Sequence, residues 1–388
     1  MPRSDGGLRV LLTNRVLAQR TGTELYIRDV AAGLVRRGHR PVVYSPRLGP
    51  LAAEIRRATV PVVDDLACVG EPPDVIHGHH TLETLTALLA FPRVPAISVC
   101  HSWVAAFDEP LAFPRVRRYV AVDDTCRDRL LSEHGVAPDR VEVVLNAVDL
   151  ARFTPRPPLP ERPAKALIFS NSTGPGAPHV GAIRQACAAS GIAVDVGGAG
   201  AGRTIDRPEH ALRSYDLVFA KARAALEAAA TGAAVILCDI AGAGPMVTTD
   251  NVARLRRLNF GVRALDREPT VAAIAGEIAR YAAADAAAVS RLVRTHAGLE
   301  AQIDQLLGIY GEVLEESASA SCDADAEMRA AAALLRRLSP RLYERDLLDN
   351  AFRRLLRLPV AGALLRRRAR RTAPSHWFQE LLRAIDGQ

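Results

Sequence analysis

Short apolar runs alternate with amphipathic stretches along the first 150 residues. The run 8–13 (LRVLLT) is strand-like, and residues 25–37 repeat apolar side chains at helical spacing. Further strand-like runs lie at 41–45, 74–77, 96–100, 119–122 and 141–145, with helical patterns at 81–90 and 124–134. This alternation predicts a parallel sheet covered by helices on both faces.

A proline-rich segment then interrupts the pattern. Residues 153–163 hold five prolines in eleven positions. Proline breaks helices and cannot donate to a sheet, so this segment predicts a linker. The alternation restarts beyond it, with strands predicted at 165–170, 192–196, 216–220 and 233–238 and helices at 179–190 and 222–231. The chain therefore predicts two consecutive doubly wound α/β units.

The last third of the chain is helical in pattern. An amphipathic helix is predicted at 299–314, and the small residues 317–322 (SASASC) predict a hinge. Two arginine-rich amphipathic helices at 328–338 and 343–358 and a basic run at 366–371 then predict a separate helical tail.

Composition excludes several classes of protein. Of 388 residues, 49% are hydrophobic and 24% charged, which is typical of a globular protein. The longest apolar runs are far shorter than the roughly 20 residues of a membrane-spanning helix. No apolar stretch follows the charge in residues 1–7, so we expect no secretory signal. Six dispersed cysteines form no CxxC pair. We therefore expect free thiols and a cytoplasmic protein.

The positive charge is concentrated in the tail. The net charge is +7, yet residues 329–371 alone contribute +10, so the remainder is slightly acidic. Such a tail could contact the anionic inner face of a membrane, where each basic residue near the surface contributes about 1 kcal/mol. The alternatives are a helical cap on the body or a subunit contact; the oligomeric state stays open. Nucleic acid is not an expected partner, because the body lacks both basic charge and a recognition motif.

Candidate chemistry lies just after the strands, because doubly wound sheets bind ligands beyond the carboxyl ends of their strands. These positions are 14–23, 77–80, 101–103, 171–173, 197–202 and 221–223. The glycine-rich segment 197–202 lacks the GxGxxG spacing of dinucleotide sites, and it fits either a ligand loop or tight turns. His77, His79 and His80 have no acidic or cysteine partner at metal-ligand spacing, so no metal site is predicted.

Five segments in order resemble motifs of the GT-B glycosyltransferases, most closely family 4. They are 21–24 (TGTE) with 37–39 (RGH), 74–80 (DVIHGHH), 98–102 (SVCHS), 141–153 (VEVVLNAVDLARF) and 215–237 with its LEA core and Gly232. The resemblance implies two Rossmann-like domains, an acceptor-side domain at 1–155 and a donor-binding domain at 156–298. It also implies a helix at 299–316 that crosses back to the first domain. The basic tail, at 317–388, follows this helix and lies outside the resemblance.

The resemblance further implies a nucleoside-diphosphate sugar as donor substrate, a saccharide, lipid-linked or small-molecule hydroxyl as acceptor, and retention of configuration. It implies no cofactor and no obligatory metal. Together with the strand-end positions, it yields candidate residues. The donor-binding candidates are Gly22, Thr23, Asn171, Ser172, Gly198, Lys221, Arg223 and Glu227, with Glu227 matching the ribose-binding glutamate. The acceptor-cleft candidates are His79, His80 and Trp103, and His101 matches the position that faces the transferred sugar.

Departures from the family pattern keep two alternatives open. Phe219 stands where the family has a second glutamate, and residues 170–173 (SNST) replace the usual Arg and Lys after the first strand of the second domain. We hypothesise that Lys221 and Arg223 replace those bases. The alternatives are a non-catalytic GT-B scaffold that binds a nucleotide, glycan or partner protein, and another enzyme of the fold, such as a nucleotide-sugar epimerase.

Overall fold

The computed structural model describes residues 7–174 and 176–357, with side chains as far as residue 340. The chain divides into two compact units, Met1–Cys322 and Asp323–Gln388. Within the described residues, the first unit contains two sheets flanked by helices, and the second contains one long helix.

The first half of the larger unit is built on a wholly parallel sheet. Its strands are β1 (Arg9–Thr13), β2 (Arg40–Tyr44), β3 (Val62–Val63), β4 (Val75–His79), β5 (Ala96–Cys100), β6 (Val116–Ala121) and β7 (Val141–Val143). They lie in the order β3-β2-β1-β4-β5-β6-β7. The helices are α1 (Gly22–Arg36), α2 (Pro50–Arg57), α3 (Thr81–Ala90) and α4 (Asp124–Asp128), which continues as a π-helical turn over Arg129–Glu133.

The second half has a similar sheet flanked by helices, except that one edge strand is antiparallel to its neighbour. Its strands are β8 (Lys165–Phe169), β9 (Ala193–Gly197), β10 (Leu217–Ala220), β11 (Ala234–Asp239) and β12 (Gly242–Met246), in the order β12-β11-β10-β8-β9. Only the β11–β12 pair is antiparallel within this described sheet. The helices are α5 (Pro178–Ala189), α6 (Pro208–Ala211), α7 (Ala222–Thr231), α8 (Val252–Arg257), α9 (Val271–Ile278), α10 (Ala283–His296) and α11 (Leu299–Ala318).

Both faces of the second sheet are buried, which explains its continuous apolar strands. Along β10, Val218 packs into a core that includes Leu226 of α7. The next residue, Phe219, packs on the opposite face in a core that includes Ile183 of α5. Successive strand residues point to opposite faces, so a strand covered by helices on both sides must be apolar throughout.

The helix α11 packs on the first half of the chain. It contacts α1, β5 and β6, and its Leu299 N–H donates to the carbonyl of Val148 at 2.9 Å. Gly33 of α1 allows the close approach, since a Cβ atom there would lie 2.6 Å from the Ile303 side chain. The absence of a side chain at Gly33 therefore sets the distance between these two helices.

The tail differs in detail from the sequence prediction. The helix α11 continues to Ala318, into the predicted hinge, and the two predicted tail helices form one helix, α12 (Ala324–Arg357), with Pro340 inside it. Proline removes one helical hydrogen bond but leaves the turns on either side helical. The basic run 366–371 lies outside the described residues. No helix in the described part is long and apolar enough to cross a membrane.

Candidate functional site

Each sheet has one point where the chain reverses its direction of strand addition. In the first sheet β2 and β3 lie on one side of β1, whereas β4 lies on the other. In the second sheet β9 and β10 flank β8 in the same manner. Ligand crevices form at the carboxyl ends of the strands at such points. We call them the first crevice (β1/β4) and the second crevice (β8/β10).

Three imidazole rings stack at the first crevice. The ring centroids of His77 and His79 lie 4.7 Å apart, and those of His79 and His101 also lie 4.7 Å apart. His79 Nδ1 and His101 Nε2 are 2.7 Å apart, so one of these nitrogens donates to the other. Tyr26 of α1 packs the edge of its ring against His79 and His101, and Tyr310 of α11 hydrogen bonds to His77 Nδ1.

Burial keeps these rings neutral. It lowers the pKa of His77 and of His101 to about 3 and the pKa of His79 well below its ordinary value. Such weakly basic imidazoles suit hydrogen bonding to a substrate hydroxyl better than proton abstraction near neutral pH. No group of three or more His, Cys, Asp or Glu side chains in the described part is arranged to hold a metal ion.

A buried carboxylate fixes the segment that carries His101. Asp108 Oδ2 accepts the backbone N–H groups of His101 and Ser102, each at 2.6 Å. Burial raises the pKa of Asp108 to about 7, against the lowering effect of these two hydrogen bonds and of Arg129. The first two backbone N–H groups after β5 are therefore held by a side chain whose charge changes near neutral pH.

His80 and Trp103 occupy different surroundings. His80 is buried, has a φ of 63°, and accepts the Arg15 N–H on Nδ1 at 3.0 Å. Burial and the neighbouring Arg15 charge lower its pKa to about 4. Trp103 is half-buried, and the Arg263 guanidinium lies 5.5 Å from its ring centroid. Because Arg263 follows α8, Trp103 contacts the second half of the chain.

Loops at the second crevice are joined by short polar contacts. Ser170, directly after β8, donates its hydroxyl to Asp239 Oδ2 at 2.6 Å and accepts the Ser172 N–H at 3.0 Å. Asn171 Oδ1 accepts the N–H of Ala199 at 3.0 Å. Gly198 has a φ of 137°, and a Cβ atom there would lie 1.9 Å from the Ser170 carbonyl oxygen. The glycine thus allows the two loops to meet.

Lys221 lies in this crevice with a buried carboxylate. Its Nζ is 3.0 Å from Oδ1 of Asp239, whose exposed fraction is 1%. His179 of α5 is buried nearby, and neither of its ring nitrogens has a partner among the described residues. Burial lowers the pKa of His179, opposed by Asp239 and reinforced by Lys221. Lys221 therefore has a carboxylate partner, although its side chain stays 32% exposed.

Arg223 joins the two halves of the chain. Its Nε donates to Glu227 Oε1 at 2.7 Å, and its terminal nitrogen donates to Asp29 Oδ2 of α1. All three side chains are largely buried. Burial opposes ionisation of Asp29, but the charges of Arg223 and Arg28 outweigh it and lower the pKa of that carboxyl. Glu227, the predicted ribose-binding residue, is therefore ion-paired to Arg223.

Gly22 and Thr23 are the first two residues of α1, the helix that bears Asp29. Glu24 accepts the backbone N–H groups of Gln19 and Thr21, which fixes the start of the helix. A Cβ atom at Gly22 would meet no atom within 4 Å. The start of α1 is thus open, and Gly22 borders free space there.

The predicted residues fall into three groups in the structure. The first crevice has His79, His80, His101 and the nearby Trp103. The second crevice has Asn171, Ser172, Gly198 and Lys221. The helices α1 and α7, linked by Arg223 and Asp29, carry Gly22, Thr23, Arg223 and Glu227. The sequence patterns do not identify several polar partners, namely Tyr26, Asp29, His179, Asp239 and Tyr310. Asp239 follows a predicted strand directly, so the strand-end rule could have found it.

The comparisons with known proteins agree with this architecture. Residues 20–152 match the family model described as Glycosyltransferase Family 4. No curated protein sequence gives a significant match to the chain. Among solved structures, a glycosyltransferase from Rickettsia africae ESF-5 is 14% identical with a TM-score of 0.61, covering 79% of this chain and 99% of that chain. An Anabaena protein solved in complex with UDP and glucose is 12% identical with a TM-score of 0.55, covering 78% and 99%.

A third similar structure widens the range of activities found on this architecture. It comes from Listeria monocytogenes, is provisionally assigned as a UDP-N-acetylglucosamine 2-epimerase, and is 13% identical with a TM-score of 0.51, covering 82% of this chain and 99% of that chain. At such identities the likeness shows a shared fold, and a fold alone does not define an activity. The predicted architecture is confirmed: the chain has the GT-B fold and is similar to glycosyltransferase family 4.

Proposed function

We propose that this protein is a glycosyltransferase that moves a sugar from a nucleoside-diphosphate donor to a hydroxyl group of an acceptor. The family match over residues 20–152 supports sugar transfer. The finer proposal, a nucleotide-sugar donor, is supported by the polar second crevice. The saccharide, lipid-linked or small-molecule class of the acceptor stays a prediction, as do retention of configuration and contact of the tail with a membrane.

One observation supports the proposal above all: residues just after strand ends of each sheet contact the other half of the chain. Trp103, after β5, contacts Arg263 of the second half. Asn146, after β7, donates its amide to Asn259 Oδ1 at 3.1 Å. Arg223, after β10, reaches Asp29 of the first half. Transfer between two bound substrates needs their sites to face each other, and these contacts place strand-end residues of each sheet against the other half of the chain.

The second crevice has groups suited to a diphosphate. The leaving nucleoside diphosphate develops negative charge, which backbone N–H groups and basic side chains stabilise in the absence of a metal. In this proposal the loops 170–173 and 197–202 supply backbone donors, and Lys221 supplies a positive charge. Glu227 would accept hydrogen bonds from both ribose hydroxyls. Binding then requires Glu227 to retain Arg223 as a partner or exchange it for the ribose.

The first crevice has groups suited to the transferred sugar. His101 would hydrogen bond to a sugar hydroxyl, with its ring oriented by His79 Nδ1. A neutral, weakly basic His101 leaves no general base among the histidines of the stack. Retention through a same-face attack, in which the departing phosphate oxygen takes the acceptor proton, needs no such base. The histidines then orient substrates and exclude water.

A second candidate is a non-catalytic scaffold of the same fold. The side chains predicted to bind the donor already have partners in the protein: Lys221 has Asp239, and Arg223 has Asp29 and Glu227. A protein that turns over a nucleotide sugar must share these groups with its substrate or release them to it. A scaffold retains them and binds its ligand elsewhere. Turnover of the donor distinguishes the two.

The test is a panel of nucleotides and nucleotide sugars, scored by thermal shift and then by nucleotide release. Glu227→Gln is compared with Asp29→Asn, because each removes one carboxylate from Arg223 and only Glu227 is proposed to contact the donor. We expect one nucleotide family to stabilise the protein and Glu227→Gln alone to abolish binding. Equal losses of donor binding in both variants would indicate that the two carboxylates only stabilise the structure. Stabilisation without turnover under any acceptor would favour the scaffold.

A further inference from the structure

A cavity of 220 Å³ lies between the two halves of the larger unit and shares no lining residue with either crevice. One wall is the end of β7 and the segment after it, with Val143, Leu145 and Ala147. The facing walls come from α8, the end of α10 and the first turns of α11. Their polar lining residues are Arg256, Arg257, His296, Gln302 and Gln305.

The charges around this cavity have one sign. Two guanidinium groups and one imidazole line it, and none of the lining residues in this described region is acidic. Arg257 already has a carboxylate partner outside the lining of the cavity, because its Nε donates to Asp124 Oδ2 at 2.9 Å. Gln302 and Gln305 are anchored to the backbone carbonyls of Leu145 and Val143 at 2.9 and 3.2 Å. Arg256 is therefore the group whose charge the cavity leaves uncompensated.

Arg256 is a partly buried arginine without a side-chain partner in the part of the chain that the structure describes. Its side chain is half-buried, its Nε is inaccessible to solvent, and it has no hydrogen bond or ion pair among the described residues. By contrast, buried Arg115 donates to three backbone carbonyls, and buried Arg28 pairs with Asp29 and Glu54. Burial without a counter-charge lowers the pKa of Arg256. Buried polar groups are normally satisfied, so an unpaired guanidinium in a cavity wall indicates a place for an anion.

We propose that this cavity is a binding site for a small oxyanion, a phosphate or carboxylate group, held by Arg256. A guanidinium offers two parallel N–H groups that match the oxygens of such an anion. The volume suits one phosphate group with bound water and is smaller than the roughly 300 Å³ at which pockets for molecules of drug size start. Because the walls come from both halves of the chain, the bound anion stabilises the arrangement in which these walls face each other.

The experiment uses the full chain in phosphate-free buffer, titrated with inorganic phosphate and, separately, with chloride at equal ionic strength. Binding is measured by calorimetry and by the shift in melting temperature. We expect phosphate to raise the melting temperature by several degrees beyond chloride, and Arg256→Gln to weaken phosphate binding at least tenfold. The matched control is Arg254→Gln, which removes an exposed arginine of the same helix and should bind phosphate as the parent protein does. A sugar phosphate in place of phosphate distinguishes a free anion from the phosphate group of a larger molecule.

Two further variants distinguish this site from phosphate binding in the second crevice and from a purely structural role of Arg256. Lys221→Met removes the cation of the second crevice and should leave the part of the phosphate response that depends on Arg256 in place. If Lys221→Met abolishes the response and Arg256→Gln does not, the anion binds in the second crevice and the proposal is wrong. Arg256→Met should melt at or above the parent temperature without phosphate, because it removes an uncompensated charge. A large loss of stability in that variant, or phosphate stabilisation no greater than that of chloride, overturns the proposal.

Discussion

Arg223 of α7 donates a hydrogen bond to the carboxylate of Asp29 on α1. The two residues are 194 positions apart and belong to different halves of the fold. Asp29 in turn pairs with Arg28, and Arg28 with Glu54 of α2. This ionic chain connects the predicted ribose-binding residue Glu227 to the interior of the first half, so events at Glu227 are coupled to the contact between the halves.

Arg223→Met is expected to destabilise the protein strongly. The substitution leaves the buried carboxylates of Glu227 and Asp29 short of one positive partner, and breaking a buried pair on one side costs about 3–5 kcal/mol. The matched control is Arg257→Met, which removes another contact between the halves, to Asp124, that is half-exposed. Exposed pairs contribute less than about 1 kcal/mol, so the control should be nearly neutral. Urea unfolding measures the free energy of unfolding of both variants. Equal losses would contradict the conclusion that burial makes the Arg223 ion pair the stronger of the two.

His79 is expected to orient His101, and two substitutions separate this role from packing. His79→Asn retains an amide near the position of Nδ1, whereas His79→Phe fills the stack and leaves His101 Nε2 without its partner. A lost buried hydrogen bond costs about 1–3 kcal/mol, so we expect His79→Phe to lower kcat about 10- to 100-fold and His79→Asn to restore most of it. Nitrogen NMR of His101 provides a second measurement, in which only His79→Phe should alter the tautomer. Identical effects of the two variants would assign His79 to packing alone.

Much of the fold follows from local sequence pattern. The strand β5 and the helices α3 and α7 have the bounds that the sequence predicts, because apolar runs and helical spacing reflect burial directly. The short strand β3 is not predicted because two valines do not form a pattern. The strand β12 is not predicted because its glycine-rich sequence lacks the apolar alternation of a strand. The strand β12 forms because it pairs with the neighbouring β11, and no local sequence pattern indicates this pairing.

The sequence likewise predicts some residues of the candidate site and misses others. The strand-end rule predicts His101, Asn171 and Lys221 as candidates, because their positions depend on the elements that precede them. The partners of the charged residues do not follow from the sequence. Asp29 lies within a helix and shows no pattern that separates it from a solvated surface acid. Its pairing with Arg223 results from how the two halves pack, which composition and spacing do not encode.

The buried histidines predict a steep dependence of stability on pH. Burial lowers the pKa of His79 well below its ordinary value and the pKa values of His77, His80 and His101 to about 3 to 4, whereas unfolded histidine titrates near about 6.5. Between these limits the unfolded chain binds more protons, so stability is complete above about pH 6.5 and falls as pH drops. Asp108 has the opposite effect on stability. Its pKa of about 7 keeps the folded carboxyl protonated between about pH 4 and pH 7, where the unfolded carboxyl has lost its proton.

Together these four histidines and Asp108 give an uptake of about three protons on unfolding at pH 5, or a slope of about 4 kcal/mol per pH unit. Urea unfolding at pH 7.5, 6.5, 5.5 and 4.5 measures this slope. His80→Asn keeps an acceptor for the Arg15 N–H and should reduce the slope by about 1.4 kcal/mol per pH unit. A flat profile over this range would contradict the neutral state of the stack.

Gly198→Ala is expected to separate the two loops of the second crevice. The φ of 137° is accessible to glycine but strained for alanine, and the new Cβ atom would overlap the Ser170 carbonyl at 1.9 Å. Backbone strain alone costs about 1–3 kcal/mol, and the overlap with backbone forces Ser170 to move as well. Gly202→Ala is the control, because it also has a positive φ, of 66°, but its Cβ atom would enter open space.

The two variants therefore share backbone strain and differ in the collision. Gly198→Ala should lose more stability in urea than Gly202→Ala. It should also weaken donor binding, because displacement of Ser170 removes the hydroxyl that donates to Asp239 and disturbs the carboxylate beside Lys221. Gly202→Ala should bind the donor as the parent protein does, at lower stability. If both variants bind the donor equally well, the contact between these loops is structural, and the donor lies elsewhere on the second sheet.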